Sequence, residues 1–101
     1  MPAVTFTVRW PDGVVDEFYS PSTVIYQHLD VGTRYRVDDF FSRADEALTA
    51  ASERVRLLKG FYCSAALDTL AALRTGCERF RVADGDACIE LIAMRTDRPA
   101  Q

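Results

Sequence analysis

The 101-residue sequence contains no apolar run approaching the ~20 residues that a membrane-spanning helix needs, so no membrane segment is expected. Its opening residues, Met1-Pro2-Ala3-Val4-Thr5-Phe6, lack a basic region followed by an apolar stretch, and no secretory leader is expected. Cysteine is scarce: Cys63, Cys77 and Cys88 are odd in number and widely spaced. That pattern excludes a disulfide framework and fits a reducing cytoplasm. There is one histidine, His28, and no CxxC or HxxxH pair, so neither a metal site nor a cofactor is expected. Gly32, Gly60 and Gly85 stand alone, which excludes a phosphate-cradling loop, and no Gly-x-Ser-x-Gly elbow occurs. Basic side chains are also in the minority: 12 Lys and Arg against 15 Asp and Glu give a net charge of −3. A general nucleic-acid binder needs a basic face to displace counterions, so nucleic acid is not an expected partner.

What is present describes one folded domain. An apolar fraction of 49% and a charged fraction of 27% are ordinary for a packed chain. A chain of this length buries roughly 60–65% of its unfolded surface. The expected organisation is a single domain over residues 1–95 and a loose polar tail over 96–101, with no internal repeat or linker.

Val4, Phe6, Val8 and Trp10 alternate with Thr5, Thr7 and Arg9, the period of a half-buried strand. Pro11-Asp12-Gly13 is a three-residue turn with glycine placed for positive φ, and Val14 to Tyr19 is the return strand. A short helix is expected over about Pro21–Leu29, with Ser20 as its cap, although Thr23, Val24 and Ile25 are poor helix formers. Val37 to Lys59 carries the strongest helical pattern. Val37, Phe40, Phe41, Ala44, Ala47, Leu48, Ala51, Val55 and Leu58 recur at three- and four-residue steps. Asp38 and Asp39 open that helix, Arg54, Arg56 and Lys59 lie at its end, and Gly60 is a natural stop. A further helix spans about Ser64 to Phe80, with Ala66, Leu67, Leu70, Leu73, Cys77 and Phe80 as its apolar stripe and Gly76 as a cost of about 1 kcal/mol. Asp84-Gly85-Asp86 reads as a turn and Cys88 to Met94 as a final strand. The expected class is α+β, in the order β-β-α-α-α-β. An N-terminal hairpin and a C-terminal strand form a small, mainly antiparallel sheet of about three strands on two long antiparallel helices. One face of such a sheet stays partly uncovered, which suits a partner or a self-dimer.

Few residues suggest chemistry. Cys63 begins a helix, where the dipole favours thiolate, and it is the best nucleophile candidate. His28 is the candidate base. A small buried residue in a tight inter-helix corner is the preferred reading of Cys63, because no base lies near it in sequence. Arg34, Arg36 and Arg43 cluster near the loop before the long helix and with Tyr35 form a candidate site for an anionic ligand or acidic partner, the plainer reading being ordinary surface charge. Trp10 is the only tryptophan. It is expected to pack in the core, and an exposed tryptophan there would be a binding anchor. Asp38, Asp39, Asp45, Glu46 and Glu53 share one helix without converging and read as a solvated face.

Several stretches together resemble one bacterial family. They are Arg9-Trp10-Pro11-Asp12-Gly13, Tyr19-Ser20-Pro21-Ser22, Asp39-Phe40 with Ala47-Leu48-Thr49-Ala50-Ala51-Ser52-Glu53-Arg54-Val55, and Gly60-Phe61-Tyr62-Cys63-Ser64 with Ala66-Leu67-Asp68. The chain is similar, from about residue 4 to residue 80, to the small nitrogen-starvation-response proteins encoded in bacterial nitrilase gene clusters. The resemblance implies a cytosolic accessory or interaction protein of nitrile or cyanide assimilation. Its expected neighbours are a nitrilase, a radical-type enzyme, an acetyltransferase and a flavoprotein. The family has no established activity, so the resemblance implies no catalytic role for any residue. The alternative is a small thiol-dependent enzyme or thiol carrier using Cys63.

Overall fold

The computed structural model describes residues 3–60, 64–83 and 87–97. Strand β1 is Ala3–Arg9 and β2 is Val15–Ser20; a 3-10 turn over Thr23–Gln27 leads to β3, Arg34–Arg36. Helices α1, Val37–Lys59, and α2, Ser64–Ala83, follow, and β4, Cys88–Asp97, completes a four-stranded antiparallel sheet in the order β2-β1-β4-β3. The α+β class is as the sequence indicates, with one strand more.

The hairpin forms as its residues dictate. Trp10 N–H donates to the Val14 carbonyl (2.8 Å), Gly13 N–H donates to the Trp10 carbonyl (2.9 Å), and Gly13 takes φ +90°, closed to most side chains. Asp12 Oδ1 accepts from Val14 N–H at 3.1 Å and pins the turn. Along β1, Val4, Phe6 and Val8 are fully buried while Thr5, Thr7 and Arg9 face away, so the helices cover one side of the sheet.

Three expectations are corrected. The segment before β3 is a five-residue 3-10 turn and not an α-helix over Pro21–Leu29; the run Thr23-Val24-Ile25 disfavours α-helix. Ser22 is its cap, accepting from Val24 N–H at 3.3 Å, whereas the Ser20 hydroxyl donates to the Ser22 carbonyl at 2.9 Å. β3 was not expected. It exists because β4 offers it an edge, with Gly32 N–H to Leu91 O at 2.7 Å and Leu91 N–H to Thr33 O at 3.0 Å beside it. Finally, Thr96 and Asp97 belong to β4, paired with Val4 and Ala3, and not to a tail. The Asp84-Gly85-Asp86 turn and residues 98–101 lie outside the described residues.

The long helix spans the expected Val37–Lys59, and Gly60 ends it at φ +80°. Its first N–H groups lack a side-chain cap, but Val37 N–H donates to the Ala87 carbonyl at 3.1 Å, and Asp38 and Asp39 complement the dipole. The start of α1 meets the second half of α2, where Arg74 lies 5.8 Å from the Phe41 ring centroid, so the helices run antiparallel. The core joins Phe6, Val8, Ile25, Phe40, Leu48 and Leu73 across sheet and helices. Cys77 is a buried member of it, as a small apolar residue would be. Leu58 and Leu67, expected in the apolar stripes, are 68% and 52% exposed. Val55 is the last buried residue of α1, and Leu58 lies a turn beyond it; Leu67 points outward beside Ala66 and Thr69, which are buried.

In the helix seam, the Ser52 hydroxyl is buried with no hydrogen-bond partner among the described residues. An orphan buried hydroxyl costs free energy that a methyl group does not, and alanine is the better helix former. Ser52→Ala is therefore expected to stabilise the fold by about 1 kcal/mol, read as a raised urea midpoint at unchanged slope.

Candidate functional site

Two depressions meet at Trp10. The residue is 6% exposed; its ring stacks on Phe80 (5.6 Å between centroids, 19° between planes) and meets Phe18 edge-on at 6.2 Å and 83°. Its Nε1–H donates to Asp16 Oδ2 at 2.7 Å. Gly76 of α2 makes this seat: a Cβ built there would stand 2.4 Å from the indole Cη2 atom. The glycine that the sequence offers only as a cost to the helix is thus the floor under the tryptophan.

On one side of Trp10 lies a recess of about 250 Å³, bounded by Arg9, Arg34, Glu90, Cys88 and the Pro11–Gly13 turn. The strand order β1-β4-β3 brings these residues together, since Glu90 pairs with both Arg9 and Arg34 across the sheet. Arg9 Nη1 donates to Glu90 Oε1 at 2.9 Å. Cys88 is exposed at its margin. On the other side lies a groove of about 400 Å³ between β2 and α2, walled by Trp10, Phe18 and Phe80, floored by Ala72, Thr75 and Gly76, and rimmed by Asp12, Asp16, Glu17 and Arg79. Arg79 lies 3.9 Å from the Asp12 carboxylate, with its guanidinium 5.2 Å from the Phe80 ring centroid.

The residues singled out from the sequence divide among three places. Trp10 and Arg34 line the same recess. Arg36 shares the exposed side of β3 with Arg34, but Tyr35 points to the opposite face and is buried. The Tyr35 hydroxyl accepts from Asp30 N–H at 2.8 Å, and the Arg43 guanidinium sits 5.3 Å from its ring centroid. Arg43 also donates to Asp39 at 3.1 Å; that hydrogen bond and the carboxylate's charge raise its pKa above the usual arginine value. His28 is half-buried at the end of the 3-10 turn, with Nδ1 3.7 Å from Glu46 Oε2 and its carbonyl accepting from Arg43 at 3.4 Å. It is away from the Trp10 recesses. Cys63 lies outside the described residues.

Arg9, Cys88 and Glu90 escaped sequence reasoning, because their meeting depends on β4 lying between β1 and β3. The groove side chains Asp16, Phe18 and Phe80 escaped it for a similar reason. The usable signal was the alternation of β2, which puts Asp16 and Phe18 on one face.

Among the described residues no three His, Cys, Asp or Glu side chains gather as a metal-binding group, and no helix is long and apolar enough to cross a membrane. The architecture is that of a small α+β protein, one antiparallel sheet on two helices, with two depressions on either side of a buried tryptophan. A family model described as nitrogen starvation-induced protein NitG matches residues 5–94, and the chain belongs to that family. The match runs into β4 as far as Met94, beyond the reach of the motif resemblance. No curated protein and no solved structure matches the chain.

Proposed function

We propose that this nitrogen starvation-induced protein works by binding another protein, as a cytoplasmic accessory component of bacterial nitrile or cyanide assimilation. The partner is a product of the same nitrilase gene cluster. The supporting observation is the surface left open by the fold. Both helices lie on one side of the sheet, while Val15 and Tyr19 are 47% and 39% exposed on the other, beside Thr5 and Thr7. Half-exposed apolar side chains on an uncovered sheet face are the usual raw material of a protein interface.

The test is to mix the purified chain with the nitrilase of its gene cluster and measure sedimentation. A faster-sedimenting complex containing both chains is expected. A chain that turns over a nitrile or an amide with no partner present would overturn the reading.

A further inference from the structure

We propose that the groove between β2 and α2 docks an extended, basic segment of a partner protein, which adds to the sheet as a fifth strand alongside β2. The inference rests on the binding reading above and adds to the open sheet face the strand edge and groove beside it, with the chemistry they would use. Edge, space and charge each support it.

β2 is an outer strand of the sheet. The bond from Trp10 N–H to Val14 O sets the phase of the hairpin ladder, so Val8 pairs with Asp16 and Phe6 with Phe18 in the hydrogen-bonded register. Val15 and Glu17 therefore direct their main-chain N–H and C=O groups away from β1. Such a row is a template for an incoming strand, and main-chain pairing of this kind is a recurring mode of peptide recognition.

The space beside that edge is open. α2 passes beneath β2, but Ala72, Thr75 and Gly76 are small, and a trough of about 400 Å³ remains above them. An added strand stands about 4.8 Å from its neighbour, and every second side chain would project into the trough against Phe18 and Phe80.

The charge of the rim selects the occupant. Asp12 and Asp16 border the trough, Glu17 stands on the same edge strand with its side chain on the other face of the sheet, and Arg79 is the only cation among the trough's described lining residues. Arg79 already shows what the site accepts: a guanidinium held between an aromatic face and a carboxylate. An incoming strand that turns its apolar residues into the trough, against Phe18 and Phe80, carries lysine or arginine at the alternate positions, on the other face beside Glu17. A second copy of this chain is the poorer fit, because pairing β2 with itself brings two Asp16-Glu17 pairs together at the centre of the contact. The surface therefore discriminates by charge as well as by shape.

Trp10 lines the trough and is the only tryptophan, so its emission reports occupancy directly. The probe is a capped eight-residue peptide of alternating Lys and Val, with a Glu-Val peptide of the same length as control. A saturable change in Trp10 emission is expected with the Lys-Val peptide and none with the Glu-Val peptide. Glu17→Lys should weaken binding about fivefold. Val15→Pro removes an outward N–H without touching the hairpin ladder and should weaken binding about tenfold. Thermal melts of both variants establish that they are folded, and Glu17→Lys, a change at an exposed side chain, serves alone if Val15→Pro is not. An absent response, equal responses to the two peptides, or wild-type binding by Glu17→Lys would overturn the proposal. So would a concentration-dependent dimer of the wild-type chain that Glu17→Lys disrupts, which would give the edge to a second copy. A failed titration beside an intact complex with the nitrilase removes this surface and leaves the binding reading standing. Turnover without a partner removes the binding reading itself.

Discussion

Replacing Phe40 by alanine is expected to lower the stability of the fold by about 3–5 kcal/mol. Phe40 is fully buried near the start of α1 and belongs to the core that joins helices and sheet. Its ring is 6.2 Å from that of Tyr35 at 50°, so it also secures β3 to α1. Truncation removes the largest α1 side chain in that core and leaves a cavity that the sheet above cannot collapse to fill. A domain of this size has only about 5–15 kcal/mol in total, so the variant falls close to the limit of folding. Urea unfolding followed by circular dichroism measures it: the midpoint should fall steeply at unchanged slope. A loss under about 1 kcal/mol would mean that α1 is not fastened to the sheet through this residue.

Gly76→Ala should also destabilise, although helix propensity argues the reverse. In a helix interior alanine is favoured over glycine by about 1 kcal/mol. Here its methyl would lie 2.4 Å from Cη2, 2.9 Å from Cζ2 and 3.0 Å from Cζ3 of Trp10. The indole has little room to yield, held by its 2.7 Å bond to Asp16, by the Phe80 stack and by the edge of Phe18. Overpacking of this kind costs about 1–3 kcal/mol, so steric conflict outweighs propensity and a net loss of about 1–2 kcal/mol is expected. The Trp10→Phe background provides the control, since phenylalanine lacks the outer ring of the indole. There the same Gly76→Ala change should be neutral or stabilising, and the four-protein cycle should show a coupling of about 1 kcal/mol or more. If Gly76→Ala stabilises the parent protein, the tryptophan does not sit on α2.

These two residues also show what could be read in advance. Phe40 was legible because α1 repeats its apolar positions over 23 residues, and a pattern that long resists accident. The hairpin was legible for a local reason: Pro11, Asp12 and Gly13 each fix part of the turn. The role of Gly76 was hidden, since it depends on a tryptophan in a distant strand. β3 was hidden because Arg34-Tyr35-Arg36 is too short for alternation to register and is a strand only through β4. The exposure of Leu58 and Leu67 was hidden for another reason. Leu58 lies beyond Val55, the last buried residue of α1, and Leu67 lies one position off the stripe that Ala66 and Leu73 bury, a distinction that periodicity alone does not draw.

The candidate site was partly visible. Trp10 and Arg34 were singled out and do share a recess, but the company they keep is supplied by sheet order. Tyr35, singled out with its neighbours, faces the core because successive strand residues alternate. Local chemistry nominated residues, and the long-range pairing of β4 decided which of them meet.

Trp10 is a buried wall between two depressions and not a solvent-facing anchor. Acrylamide quenching of the single tryptophan tests this directly. In the folded chain, collisional quenching should be several-fold weaker than in urea, with an emission maximum well to the blue of the unfolded value. Quenching as efficient in the native protein as in the denatured one would contradict the seat on Gly76, and with it the groove built around that seat.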